Sequence, residues 1–168
     1  MIELNKFIPQ EVCLNCEICC RFSSLDSQWS PSIGRSELEN IIKLNIIPPA
    51  LLISSNNKGP VRIALTAYKN YFVCPCFDVQ NNKCKIYPHR PFECRLYPFL
   101  LLKVNKKFYL AYDTKCIYTK NISMLKEYIK YLKIKFNEQK TLNFLKKNIE
   151  LFSGYPLAEV TIAFQIPF

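Results

Sequence analysis

The 168-residue chain reads as a small α+β domain with a cysteine-rich core organised by metal. Three observations predict this. Apolar residues alternate in short runs typical of strands, recur at helical spacing near the C-terminal end, and leave the cysteines mostly in irregular stretches between those runs. Nearly half of the residues are apolar and 14% are aromatic, enough to fold around a real core. A single domain over 1–168 is expected, with a cysteine-bearing region at 13–120 and a helical extension with a terminal strand at 121–168.

Taken in order, "WSPSIGRSELENIIKLNII" predicts the first helix. Ser36 and Glu39 have capping-box spacing, Leu38, Ile41 and Ile42 share a face, and Pro48 and Pro49 end it. "SSNNKGP" is a turn, and "VRIALT" alternates Val61, Ile63 and Leu65 as one strand. "LLKVNKKFYLAY" reads as a hairpin. Leu100, Leu102 and Val104 are answered by Phe108, Leu110 and Tyr112 around "NKK". Helical spacing returns through Leu125, Tyr128, Ile129, Leu132 and Phe136, then Leu142, Leu145, Ile149 and Phe152. "EVTIAFQI" closes the series as a strand alternating Val160, Ile162, Phe164 and Ile166.

Composition narrows the function. Gly34, Gly59 and Gly154 are the only glycines and lie far apart, so neither a dinucleotide-binding turn nor a phosphate-cradling loop can be built. The start "MIELNKFIPQ" lacks a basic region followed by an apolar one, and "YPFLLLKV" is too short to span a bilayer. A cytoplasmic chain without a membrane partner is expected. Nine cysteines in a reducing compartment are better read as ligands or catalysts than as disulfides, and an odd number cannot pair completely. The net charge of +10 could serve nucleic acid, an anionic membrane or an acidic partner, or could simply be a solvated lysine face.

The cysteine spacing carries the chemistry. "CLNCEICC" sets Cys13, Cys16, Cys19 and Cys20 within eight residues. A C-x-x-C turn lets two sulfurs converge on one centre. Cys13, Cys16 and Cys19 form the three-ligand run by which bacterial ferredoxins hold most of a cubane cluster. Cys20 then faces a second centre or serves as an alternate ligand. Zinc is the rival, but its structural sites usually join two short knuckles, and here the distant cysteines are dispersed except for Cys74 and Cys76. A redox C-x-x-C pair lacks the upstream strand of its usual setting. An iron–sulfur cluster is the preferred cofactor and zinc the alternative.

The second informative stretch is "CKIYPHRPFECRLYPF", residues 84–99. Cys84 and Cys94 bracket Arg90, and Arg95 follows. Four thiolates around Zn2+ or a cubane core leave a charge near −2, which guanidinium groups can offset. Arg90 and Arg95 are therefore candidate cofactor-binding residues. His89 is the only histidine, which excludes a zinc hydrolase built on several imidazoles. No acid–base pair or nucleophile triad can be picked out, so the residues leave the question of an enzyme open.

Together, "CLNCEICCRF" and "CPCFDVQNNKCKIYPHRPFECRLYPF" resemble the YkgJ-type cysteine-cluster family, described as a zinc- or iron-chelating domain. Cys13, Cys16, Cys19 and Cys20 match the first part of its pattern. Cys74, Cys84, Arg90, Pro91, Cys94 and Arg95 match the second, and Cys116 fits a later cysteine. The resemblance implies a metal-ligand set of Cys13, Cys16, Cys19, Cys20, Cys74, Cys84, Cys94 and Cys116. Cys76 stands where the family more often has an apolar residue and is left off that set. A cluster of this kind also looks related to that of flagellin lysine N-methylases. The expected role is electron transfer or cluster-dependent modification of a protein partner. The alternative is a structural zinc module presenting basic helices, with Lys126, Lys130 and Lys133 on one face, to a partner or to nucleic acid.

Overall fold

A computed structural model describes every residue except 1, 10, 13–15, 17, 18, 55–58 and 154. The fold is mixed α+β, with short antiparallel sheets and helices. The chain groups into two compact units, one of Ile8–Cys94 and one of Met1–Phe7 with Arg95–Phe168.

The Ile8–Cys94 unit is built from small antiparallel ladders. β1 (Arg21–Phe22), β5 (Thr66–Tyr68) and β6 (Tyr71–Val73) form a sheet in the order β1-β6-β5. β2 (Ser32–Ile33), β3 (Leu52–Ser54) and β4 (Val61–Ile63) form another in the order β2-β4-β3. β7 (Phe77–Asp78) and β8 (Lys83–Cys84) make a two-stranded ladder. The single strand expected from "VRIALT" is divided. β4 serves the second sheet and β5 the first, and the Ala64 N–H between them donates to the Leu51 carbonyl at 2.8 Å. Leu65 leaves the strand pattern yet enters the core with Phe22, Ile33, Ile41, Ile47, Ile63, Val73 and Phe77. The "SSNNKGP" turn lies largely outside the described residues.

α1 (Arg35–Lys43) starts from Gly34 rather than from a Ser36 capping box. Its inward positions are Glu37 and Ile41, while Ile42 and Leu44 are exposed. The helix also stops before the prolines. Asn45 adopts the left-handed conformation at φ 49°, so its N–H reaches the Ile42 carbonyl and the Ile46 N–H reaches that of Ile41, each at 3.0 Å. This is a Schellman stop, and asparagine is one of the few residues besides glycine that tolerates its φ.

In the other unit, β9 (Phe99–Val104), β10 (Lys107–Asp113) and β11 (Val160–Gln165) form an antiparallel sheet in the order β11-β10-β9. The β9–β10 hairpin forms as expected, but its register is shifted by one. Phe108, Leu110 and Tyr112 face Lys103, Leu101 and Phe99. The loop is Asn105–Lys106 rather than all of "NKK", and both residues have positive φ, as a two-residue type I′ turn requires. One residue fewer in the loop moves every partner by one. β11 carries a bulge opposite Leu110 and Ala111, which breaks the expected alternation, so Val160 is buried and Ile162 exposed.

The helical region contains α3 (Ile122–Lys135) and α4 (Gln139–Lys147). Asn121 caps α3 by accepting the Met124 N–H at 3.2 Å. Leu132, Phe136 and Leu145 are completely buried together with Phe99, Leu101, Leu102 and Leu110 as the core of this unit. The segment at Met1–Phe7 is held by Phe7 against Phe99 and Tyr128, with centroids at 5.5 and 4.9 Å, and by the Asn5 N–H donating to the Tyr131 hydroxyl.

Candidate metal centre

Five short pieces of backbone position the thiols of the Ile8–Cys94 unit. Cys19 and Cys20 form the turn entering β1. β1 pairs with β6, Arg21 opposite Val73, and the ladder continues one step further as the Cys74 N–H donates to the Cys20 carbonyl at 3.2 Å. This brings the Cys19–Cys20 turn to the C-x-C segment. A tight turn follows, with the Phe77 N–H on the Cys74 carbonyl at 2.8 Å. β7 then pairs with β8, Phe77 opposite Cys84, and the Lys85 N–H donates to the Cys76 carbonyl at 2.8 Å. The loop between these strands is tightened by Asp78, whose carboxylate accepts the N–H groups of Gln80 and Asn81 and the Asn81 side-chain amide. Those bonds hold the Asp78 carboxyl below the usual range.

Cys94 arrives on α2 (Phe92–Leu96), a short helix held by two buried carboxylates. Glu37 of α1 accepts the Phe92 N–H at 2.9 and 3.1 Å through its two oxygens, closing the end of α2. Glu93 accepts the Ser32 N–H of β2 at 2.7 Å. Nothing in the helical pattern around it singles out Glu37. Its role becomes visible only once Phe92, 55 positions away, lies beside it.

The thiols act on one another. A hydrogen bond with Cys19, then burial, then the neighbouring sulfurs of Cys19, Cys74 and Cys94 push the Cys20 thiol well above the ordinary range. Cys74 bonds to Cys76. That bond, then burial, then Cys76 and Cys94 raise Cys74, while the same bond lowers Cys76 against its burial, helped by the Lys85 ammonium. Cys84 is raised by burial, with Cys76 and Cys19 adding and Arg90 opposing. Cys94 is raised by burial, then by Glu93, again with Arg90 opposing. Six sulfurs, those of Cys19, Cys20, Cys74, Cys76, Cys84 and Cys94, thus form one electrostatic neighbourhood. Cys76, left off the sequence-derived set, sits inside it; its closeness to Cys74 in C-x-C was the available signal.

Of the other candidates, Cys16 is a half-buried free thiol, and Cys13 lies outside the described residues. Cys116 is buried in the other unit, where its carbonyl accepts the Thr119 hydroxyl at 2.7 Å. None of the eight described cysteines is in a disulfide. Arg90 lies over the Tyr87 ring at 3.8 Å, and its Nε–H donates to the Tyr87 carbonyl at 3.2 Å. So held, it acts on both Cys84 and Cys94. Arg95 donates to the Ile2 carbonyl at 2.8 Å. His89 is exposed in the turn Tyr87–His89.

The donor set is chemically suited to zinc or an iron–sulfur cluster: grouped soft sulfurs, no imidazole among them, and a fixed guanidinium beside two of them. Among the described residues, no three His, Cys, Asp or Glu side chains already stand in ion-holding geometry. Cys20 instead acts chiefly with Cys19, and Cys74 with Cys76, with Cys84 and Cys94 in the same field.

Residues 12–117, more than half of the chain, match a family model described as "CxxCxxCC: Putative zinc- or iron-chelating domain". The chain belongs to this family. Membership in the CxxCxxCC family supports metal binding in general, as the sequence resemblance implied. The CxxCxxCC match runs through both thiol-bearing stretches and ends just past Cys116. No curated protein and no solved structure matches the chain. No helix among the described residues is long and apolar enough to cross a membrane.

Proposed function

We propose that this chain is an iron–sulfur protein whose cluster is held by thiolates of the N-terminal knuckle together with those of Cys74, Cys84 and Cys94. The supporting observation is the Cys20 carbonyl accepting the Cys74 N–H, which ties two sequence-distant thiol groups into one ladder. Each iron of a cubane takes one protein thiolate, so single donors arriving from separate segments suit a cluster. Buried neighbouring thiols resist ionising together, and a cationic core removes that resistance by neutralising them as they deprotonate. Arg90 offsets the remaining negative charge beside Cys84 and Cys94. Such a centre serves electron transfer or cluster-dependent modification of a protein partner.

A second reading is a structural zinc site. It draws on two short thiol groups, Cys19 with Cys20 and Cys74 with Cys76, each acting on its neighbour as donors of one tetrahedral site would. Anaerobic purification followed by iron, sulfide and zinc analysis and a visible spectrum separates the two. Iron with acid-labile sulfide and a broad visible absorbance is expected. A colourless, iron-free protein with stoichiometric zinc moves the assignment to the second reading, and a metal-free protein overturns both.

A further inference from the structure

The thiols and the charge are segregated. Fourteen of the 23 lysines and arginines, but six of the 13 acidic residues, fall in the Met1–Phe7 and Arg95–Phe168 unit, so that unit holds +8 of the net +10. All of the cysteines except Cys116 fall in the other.

Within the basic unit one surface combines lysines with aromatic rings. Lys103 is the cross-strand partner of Phe108, which puts both side chains on one face of the sheet. The Lys103 ammonium lies 5.7 Å from the Phe108 ring centroid. The Ile166 N–H donates to the Phe108 carbonyl at 2.8 Å, so the chain past β11 runs beside β10 and sets the Phe168 ring 4.9 Å from Phe108. Phe152 packs edge-on against both rings, at 4.9 and 5.7 Å, and fixes them. From the last turn of α4, the Lys146 ammonium lies 5.9 Å from the Phe168 centroid. Phe168 remains 38% exposed, and the exposed Lys106 and Lys107 flank the same hairpin end. Neither Lys103 nor Lys146 makes an ion pair among the described residues.

We propose that this Lys103–Phe108–Phe168–Lys146 surface binds single-stranded nucleic acid. A base has a flat π-face that stacks on a partly exposed, fixed ring, and its phosphates need cations within one nucleotide's reach. The surface offers both. An acidic peptide would use the lysines and leave the Phe168 ring idle. An anionic bilayer would call for a broad apolar face that inserts, and of these three rings only Phe168 is exposed. The surface is built from residues outside the metal site, so this proposal does not rest on the metal reading.

The test uses the purified 168-residue chain and a labelled single-stranded oligoribonucleotide of mixed sequence, followed by fluorescence anisotropy across a salt series. Binding is expected to weaken with salt, with a log–log slope of about −0.7 for each lysine–phosphate contact. Lys103→Glu with Lys146→Glu should lower affinity more than about tenfold and flatten that slope by about 1.4. Phe168→Ala should lower affinity at least about fivefold without changing the slope, and Phe168→Trp should restore it. Lys126→Glu with Lys130→Glu on α3 makes the same change in net charge elsewhere and should cost far less. Metal content should stay that of the unmodified chain in every variant. No binding at low salt, equal losses from the two lysine pairs, or wild-type affinity in Phe168→Ala would each overturn the proposal. So would binding to phosphatidylserine vesicles or polyglutamate that outcompetes the oligonucleotide.

Discussion

The amide of Cys74 donates to the carbonyl of Cys20 at 3.2 Å, across 54 positions of sequence. It extends the β1–β6 ladder by one rung, and through it the Cys19–Cys20 turn and the C-x-C segment share one neighbourhood. A cysteine at either end is therefore held by the sheet as well as by its own loop.

Cys74→Ser and Cys20→Ser should each remove most of the bound metal, because serine keeps the backbone rung and loses the soft donor. Metal analysis of the purified variants checks this, with far-UV circular dichroism to confirm that the sheet persists. Retention of full metal content in both would remove these thiols from the centre.

Metal uptake should be proton-linked. Cys20 and Cys74 are raised by their bonds to Cys19 and Cys76, and Cys84 and Cys94 by burial. They stay protonated in the folded apo chain at neutral pH, so binding must release protons and apparent affinity should rise with pH. The apo fold has the opposite sign. Thiols whose folded pKa exceeds the unfolded value of about 8.5 contribute stability that is intact below that value and lost as pH rises above it. Cys76, lowered by the Cys74 bond, opposes part of this. Chelator-competition titrations and urea melts of the apo chain between neutral and alkaline pH measure the two slopes. Apo stability that rises with pH would contradict this assignment.

Arg90 should matter more as a guanidinium than as a positive charge. It stacks on Tyr87, donates to the Tyr87 carbonyl and acts on Cys84 and Cys94 together. Arg90→Gln is expected to lower metal affinity by about 10- to 100-fold, the usual range for a partner outside the ligands themselves. Arg90→Lys should recover part of this, because lysine keeps the charge but cannot also stack as a plane. Competition with a metal indicator gives both values.

Glu37 should act on the fold rather than on the metal's charge. Glu37→Ala strands the buried Phe92 N–H and is expected to destabilise the chain by about 1–3 kcal/mol. Glu37→Gln keeps an acceptor and should cost less. Urea denaturation of the metal-loaded chain reads the difference, and equal losses in the two variants would mean that the Phe92 bond contributes little.

Much of this was legible in the residues. The hairpin could be read from alternation around "NKK", the terminal strand from "EVTIAFQI", and the two C-terminal helices from two runs at helical spacing. The divergences share a cause. The register of β9 against β10 depended on whether Lys107 belongs to the loop or the strand, and backbone φ at Asn105 and Lys106 decided it. The bulge in β11 exposed Ile162, and the left-handed Asn45 stopped α1 ahead of the prolines. Pattern reports which side chains prefer burial, but one residue of backbone geometry settles which of them obtain it.

For the site, the amino-acid sequence alone determined the chemistry: many sulfurs at close spacing, a single histidine, and arginines beside the second cysteine stretch. Donor type is a property of the side chain and needs no fold. Tertiary structure decided the company each group keeps. It placed Cys76 among the thiols, turned Glu37 inward to Phe92, set Arg90 beside Cys84 and Cys94, and gave the Arg95 side chain to the Ile2 carbonyl. Hydrogen bonds and charge effects act over a few ångströms, and the partners here stand tens of residues apart along the chain, so only the folded backbone could bring them within range.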